Sequence, residues 1–171
     1  MKQLNWATLG CGVIANELAH ALSKEGRTLY SVANRTHEKA VAFAQKYGIS
    51  KVYDNIDDVF YDPDVDIIYI STPHNTHINY LRKALSNGKH VLCEKSITLN
   101  IAELDEAVSL AKENNVILAE AMTIYHMPVY KKLNEIIASG QLGRLNLIQV
   151  NFGSYKDYNC LLYTSDAADE L

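Results

Sequence analysis

The sequence predicts an α/β fold: a doubly wound parallel sheet, followed by the start of an α+β domain built on an antiparallel sheet. Three observations predict it. A glycine turn, Gly10-Cys11-Gly12, joins a short apolar run (Leu4, Trp6, Ala7, Leu9) to a stretch in which Ile14, Leu18 and Leu22 recur at helical spacing. Strand-like and helix-like segments then alternate as far as residue 121, the pattern of a parallel sheet with crossover helices. Residues 65–71 (VDIIYIS) form a nearly continuous apolar run, which suits a parallel strand covered on both faces.

Each element follows from local chemistry. Gly26 stops the first helix, and residues 28–33 (TLYSVA) read as a β-branched and aromatic second strand. Thr36 is expected to cap a helix running to Tyr47, with Ala40, Phe43, Ala44 and Tyr47 on one face and Gly48 as its stop. Residues 51–53 form a short strand, and 56–61 a brief helix closed by Asp62-Pro63. After the central strand, Ile78, Leu81 and Leu85 mark a helix that ends at Asn87-Gly88. Residues 90–93 (HVLC) are the next strand, Asn100 caps another helix, and 116–121 (VILAEA) close the sheet. Pro128 opens a helix through Ser139, which Gly140 and Gly143 end. The alternation in residues 146–152 (NLIQVNF) predicts a half-buried antiparallel strand. The expected division is 1–122 for the nucleotide-binding domain, 123–159 for the start of a second domain, and 160–171 as a tail.

Composition excludes several classes. The 171 residues are 48% apolar and 21% charged, with a net charge of −4 and interspersed signs, so no nucleic-acid surface is indicated. No apolar run approaches a membrane span, and Met1-Lys2-Gln3 leads directly into a strand without a secretory leader, so a cytoplasmic location is expected. Cys11, Cys93 and Cys160 lack metal-ligand spacing, and the first two are expected to be buried thiols at strand ends. No metal site is indicated.

The chemistry-bearing residues cluster after predicted strands. Gly10, Gly12 and Ala15, with Val13 and Ile14 between, fit the G-x-G-x-x-G/A pattern in strand–turn–helix context. Such a turn lets backbone approach a ligand, and the N–H groups opening the helix suit a pyrophosphate; the other reading is a tight turn with no ligand. About 20 residues on, where an acid would hold a ribose 2′-hydroxyl, the chain has Ala33, Asn34 and Arg35. Arg35 suits a 2′-phosphate, which favours NADP over NAD; the alternative is a solvated arginine at a helix start. Ser71, Thr72, Pro73, His74, Asn75 and His77 follow the central strand, and Glu94-Lys95-Ser96 follow the next. A Glu-Lys pair is commonly a solvated surface pair, and less so after a buried strand of such a sheet. His74 and His77 suit general acids or loop structure, and His77 is expected to hydrogen-bond locally. Tyr125 and His126 lie just past the last sheet strand, within possible reach of a substrate.

Four segments, GCGVIA, STPHNTH, GKHVLCEKS and GQLGRLNLIQVNF, appear in an order that resembles the Gfo/Idh/MocA family of NAD(P)-dependent oxidoreductases, in the branch of dihydrodiol dehydrogenase and related sugar and polyol dehydrogenases. The resemblance runs from residue 2 to about 158 and implies a Rossmann domain. It assigns Gly10, Gly12, Val13, Ile14 and Ala15 to the pyrophosphate, and Asn34 and Arg35 to the adenosine end. Ser71, Thr72, Pro73, Asn75 and His77 would line the cofactor wall. Glu94 would hold a nicotinamide-side ribose hydroxyl, and Lys95 would bind the substrate oxygen and assist proton transfer during hydride exchange. A sugar, polyol or dihydrodiol substrate and a homo-oligomeric full-length form are implied too.

Two departures stand out. The family's proline after the lysine is Ser96 here, so a trans Lys95–Ser96 bond is expected, with Lys95 held by packing. Residues 160–170 (CLLYTSDAADE) resemble a translated sequencing-library adapter, so the natural frame is expected to be interrupted near Asn159. Phe152, Tyr155 and Tyr158 would then lie on an unpaired sheet edge, and the chain is expected to bind a dinucleotide but turn over poorly alone. Two other functions stay open: a non-catalytic dinucleotide-binding sensor, and a glycosidase using bound NAD without net redox change.

Overall fold

The computed structural model describes residues 3–151. Residues 3–121 make one compact unit and residues 122–151 belong to a second. In the first, β1 (Trp6–Leu9), α1 (Val13–Lys24), β2 (Ser31–Ala33), α2 (His37–Tyr47), β3 (Lys51–Val52) and α3 (Asp58–Tyr61) are followed by β4 (Ile67–Ile70), α4 (His77–Ser86), β5 (His90–Cys93), α5 (Ile101–Glu113) and β6 (Leu118–Glu120). The six strands lie in the order β3-β2-β1-β4-β5-β6, and every pairing is parallel. The order reverses between β1 and β4, the switch point at which open α/β sheets bind ligands.

Helices cover both faces, so two cores form. Ala15 and Ala19 of α1 and Ala40, Phe43 and Ala44 of α2 pack with Val32 and Ile49 on one side. Val59 and Phe60, with Leu81, Ala84, Leu85, Ala107 and Ala111 of α4 and α5, pack against Ala7, Leu9, Ile68, Ile70 and Val91 on the other. Alternate positions of the strands supply the second core, as the two-residue period of a strand requires. Cys93 is buried, whereas Cys11 is only half-buried. Cys160 and the tail lie outside the described residues.

Local chemistry departs from expectation in three places. The second strand starts at Ser31 rather than 28, because the Arg27 N–H closes α1 on the Leu22 carbonyl (2.9 Å) and the run joins β1 first through Tyr30 N–H to Trp6 O (2.8 Å). Thr36 occupies the N-cap position of α2 but makes no side-chain capping bond; its carbonyl accepts from Asn34 Nδ2 (2.9 Å). Residues 146–151 form no strand: no partner strand lies beside them among the described residues, and a strand needs a ladder to satisfy its backbone. Leu147, Ile148 and Val150 are accordingly 82%, 63% and 81% exposed. Phe152, Tyr155 and Tyr158 lie outside the described residues. The second unit holds a 3-10 turn (Thr123–His126) and α6 (Pro128–Ala138), with Pro128 at the helix start. No described helix is long and apolar enough to cross a membrane.

Candidate dinucleotide site

Strand register builds the site. Ala33, Leu9, Ile70, Cys93 and Glu120 are successive partners across β2, β1, β4, β5 and β6. The residues that follow the first four, Asn34, Gly10, Ser71 and Glu94, therefore leave the sheet in one row at its carboxyl edge. Ladder bonds continue along this row: Gly10 N–H donates to Ala33 O, Ser71 N–H to Leu9 O and Glu94 N–H to Ile70 O, each at 2.9 Å.

Gly10 needs to be glycine for two reasons. Its φ of +107° disfavours any L side chain, and a Cβ there would lie 2.8 Å from Ser71 O and 2.9 Å from Ser71 Oγ. The close approach at this position is thus to the neighbouring strand. Gly12 differs: its φ of −72° is open to any residue, and it is the exposed N-cap of α1. No side chain caps this helix, so its first N–H groups, beside exposed Val13 and Ile14, are available to an anion. Ala15 is fully buried, which lets α1 seat closely on the sheet. Asn16, absent from the sequence reading, ties this turn down. Its Nδ2 donates to Gly12 O (2.8 Å), while Oδ1 accepts from Tyr47 Oη and Lys46 Nζ, both at 2.8 Å. Burial pushes the Cys11 thiol up to about 11, against the opposing charge of Lys39.

At the end of β2 stand Asn34 and exposed Arg35, with no carboxylate between Ala33 and Thr36. Arg35 has no ion pair or hydrogen bond among the described residues. Such a donor set, amides at a helix N-terminus beside an unpaired guanidinium, fits a phosphate-bearing dinucleotide.

After β4, Ser71 and Thr72 lead into Pro73 and a 3-10 turn (His74–Thr76) that Thr76 Oγ1 fastens to Pro73 O (2.7 Å) and Thr72 Oγ1 (2.8 Å). Asn75 is exposed at the tip. His77 is fully buried, with one ring nitrogen 2.8 Å from Thr72 O and the other 2.9 Å from Ser96 O. It bridges the β4 and β5 loops, so its side chain is engaged in structure. After β5, the Tyr69 hydroxyl donates to Glu94 Oε1. Burial, and then Glu94, raise the Tyr69 hydroxyl above its ordinary value, which keeps it a donor.

Lys95 is exposed and has no partner among the described residues, so packing does not hold it as expected. The Lys95–Ser96 peptide bond is cis, where a trans bond was expected from the serine. The following peptide is bordered from two sides: Ser96 O meets the His77 ring, and Ile97 N–H donates to Glu120 Oε1 (3.0 Å), so side chains of two other elements flank the turn that carries Ser96 in place of a proline. Tyr125 and His126 belong to the second unit, where both are exposed and Tyr125 meets Tyr130 edge-on at 5.4 Å. Among the described residues, no group of three His, Cys, Asp or Glu side chains could hold a metal.

A glycine turn at the switch point, an uncapped helix start and a row of polar strand ends define a dinucleotide-binding domain of the Rossmann class. The chain belongs to the oxidoreductase family with an NAD-binding Rossmann fold, the GFO_IDH_MocA family, whose model matches residues 4–122. It is 35% identical over 153 residues to trans-1,2-dihydrobenzene-1,2-diol dehydrogenase of Mus musculus, covering 88% of this chain and 46% of the relative. The Xenopus tropicalis protein of that name is 33% identical over 151 residues, covering 86% and 46%. The chain thus spans about half the length of the relatives it matches. Among solved structures, a probable dehydrogenase from Thermotoga maritima superposes with a TM-score of 0.77 at 28% identity, over 82% of this chain and 42% of that one. KijD10, a 3-ketoreductase from Actinomadura kijaniata in complex with NADP and TDP-benzene, gives 0.75 at 26% identity, over 81% and 43%.

Proposed function

We propose that this chain is the cofactor-binding part of an NADP-preferring oxidoreductase acting on a hydroxyl or carbonyl carbon of a sugar, polyol or dihydrodiol, and that its full-length form is a homo-oligomer. The single row formed by Asn34, Gly10, Ser71 and Glu94 at the carboxyl edge of the sheet carries this reading. The dihydrodiol dehydrogenases among its relatives and the NADP bound by KijD10 support it.

The bound dinucleotide supplies or accepts a hydride at its nicotinamide ring. The residues of this chain do the rest. Gly12, Val13, Ile14 and Ala15 present the amides of the α1 N-terminus to the pyrophosphate, and Gly10, whose own N–H is bonded to Ala33 O, turns the chain into that position. Arg35, with Asn34 beside it, clamps a 2′-phosphate. Ser71, Thr72, Pro73 and Asn75 form the wall at the β4 end, and buried His77, against Thr72 O, supports that turn from inside the fold. Tyr69 engages Oε1 of Glu94, leaving Oε2 to accept from a ribose hydroxyl. The Lys95 ammonium stabilises developing negative charge on the substrate oxygen and exchanges a proton with it.

Calorimetric titration of the chain with NADPH and NADH tests the cofactor assignment. Arg35→Ala should weaken NADPH binding about tenfold or more, the value of a charge-assisted contact, and leave NADH within about twofold. Equal effects on the two ligands would reject the 2′-phosphate role.

A further inference from the structure

Glu120 poses a question that the cofactor row leaves unanswered. It ends β6, half-buried, in register with Cys93. A carboxylate withdrawn from water needs compensation. No cation pairs with it among the described residues, and its hydrogen bond is to the backbone N–H of Ile97 at 3.0 Å. That amide belongs to the peptide whose carbonyl, Ser96 O, meets the buried His77 ring at 2.9 Å. The other ring nitrogen is 2.8 Å from Thr72 O. One peptide unit, Ser96–Ile97, therefore rests with its oxygen against the His77 ring on the β4–α4 side and is held at its nitrogen from β6. Upstream of Lys95, Tyr69 fixes Glu94. Among the described residues, exposed Lys95 makes no hydrogen bond or ion pair that would orient it, so its backbone sets where its ammonium can reach.

We infer that Glu120 is a positioning residue: by holding the Ile97 amide, it sets the path of the Glu94–Lys95–Ser96 turn and so the aim of Glu94 and Lys95. This rests on the cofactor reading above. It assigns Glu120 no contact with substrate or cofactor. Its effect should fall on the nicotinamide half of the ligand and spare the adenosine half, which the glycine turn and Arg35 receive across the sheet.

The test compares the reduced dinucleotide that the chain binds more tightly, NADPH or NADH, with the matching adenosine half, 2′,5′-ADP or 5′-ADP. In Glu120→Ala, affinity for the dinucleotide should fall about fivefold or more, the scale of a lost hydrogen bond to a charged group, while affinity for the adenosine half changes less than about twofold. Glu120→Gln keeps an acceptor oxygen and should restore dinucleotide affinity to within about twofold of the unsubstituted chain. Should Glu120→Ala lose the adenosine half through misfolding, Glu120→Leu, which keeps the bulk without the acceptor, takes its place. Unchanged dinucleotide affinity in the acceptor-free variant, equal losses for both ligands, or no rescue by glutamine overturns the inference. Failure of the unsubstituted chain to bind either ligand overturns the cofactor reading instead.

Discussion

The two glycines of the turn do different jobs, and substitution separates them. Alanine at Gly10 must take up a left-handed φ and press its Cβ against Ser71 at under 3 Å. Gly10→Ala should therefore destabilise the fold by about 1–3 kcal/mol, read as a lower urea midpoint. Gly12→Ala meets no φ penalty, and its effect on stability should stay within about 0.5 kcal/mol. Its cost should appear in dinucleotide affinity, because Gly12 is the exposed N-cap of the uncapped helix start to which the pyrophosphate is assigned. A Gly12→Ala chain that unfolds earlier but binds normally would contradict this division. The glycine motif was legible as a pattern, but which glycine serves the ligand and which serves the neighbouring strand was not. That depends on the register of β1 with β4, a contact 61 residues apart in sequence between Gly10 and Ser71. Asn16 was missed likewise, since its partners Lys46 and Tyr47 arrive from the far end of α2.

Elements were easiest to read where periodicity and stop signals agreed. Gly48 ends α2 with a φ of +66°, and Asn100 caps α5 as its spacing predicts, its side chain accepting from Glu103 N–H at 3.0 Å. Glu103 returns a bond to Leu99 N–H at 3.1 Å, so both ends of this cap are satisfied. Removing it with Asn100→Ala should cost about 1 kcal/mol, checked by the shift of the urea midpoint. Thr36 shows the limit: the residue type is right, but the loop after β2 is closed by Asn34 instead. The segment at 146–151 shows another. Alternation reports that a strand would be amphipathic, while strand formation needs a partner to complete the ladder. The Glu94–Lys95 turn was placed correctly after β5, yet its supports, Tyr69, His77 and Glu120, come from three other elements that no local pattern connects.

At the scale of the whole sheet, polar chemistry is divided between two edges. The carboxyl edge carries exposed Arg35 and Lys95, whereas near the starts of β2 and β3 a closed polar network lies against the apolar core, with Tyr53 belonging to both. Asp62, 6% exposed, accepts from Lys51 Nζ at 2.6 Å and Tyr53 Oη at 2.5 Å through Oδ2, and from Asp64 N–H at 2.9 Å through Oδ1. Buried Lys89 donates to the carbonyls of Asp62 (2.5 Å) and Val65 (2.8 Å), tying the start of β5 to the same loop. Burial pushes the Asp62 carboxyl up, but the bonds from Lys51, Tyr53 and Asp64 outweigh it and hold the group below its ordinary value. A carboxyl whose folded value is depressed contributes stability above its unfolded value, about 3.9, and loses it as pH falls through the folded value. The melting temperature of the chain should therefore drop as pH is lowered from about 5 to below 3.9. Asp62→Asn should already be less stable at neutral pH, by about 2 kcal/mol, because the amide leaves Lys51 without its counter-charge and gives Tyr53 a weaker acceptor. It should also show a flatter melting profile across that acid window, since the titrating group is gone. A variant whose acid profile runs parallel to that of the unsubstituted chain would place the acid sensitivity in other carboxylates and reduce the Asp62 network to a neutral hydrogen-bonded corner of the fold.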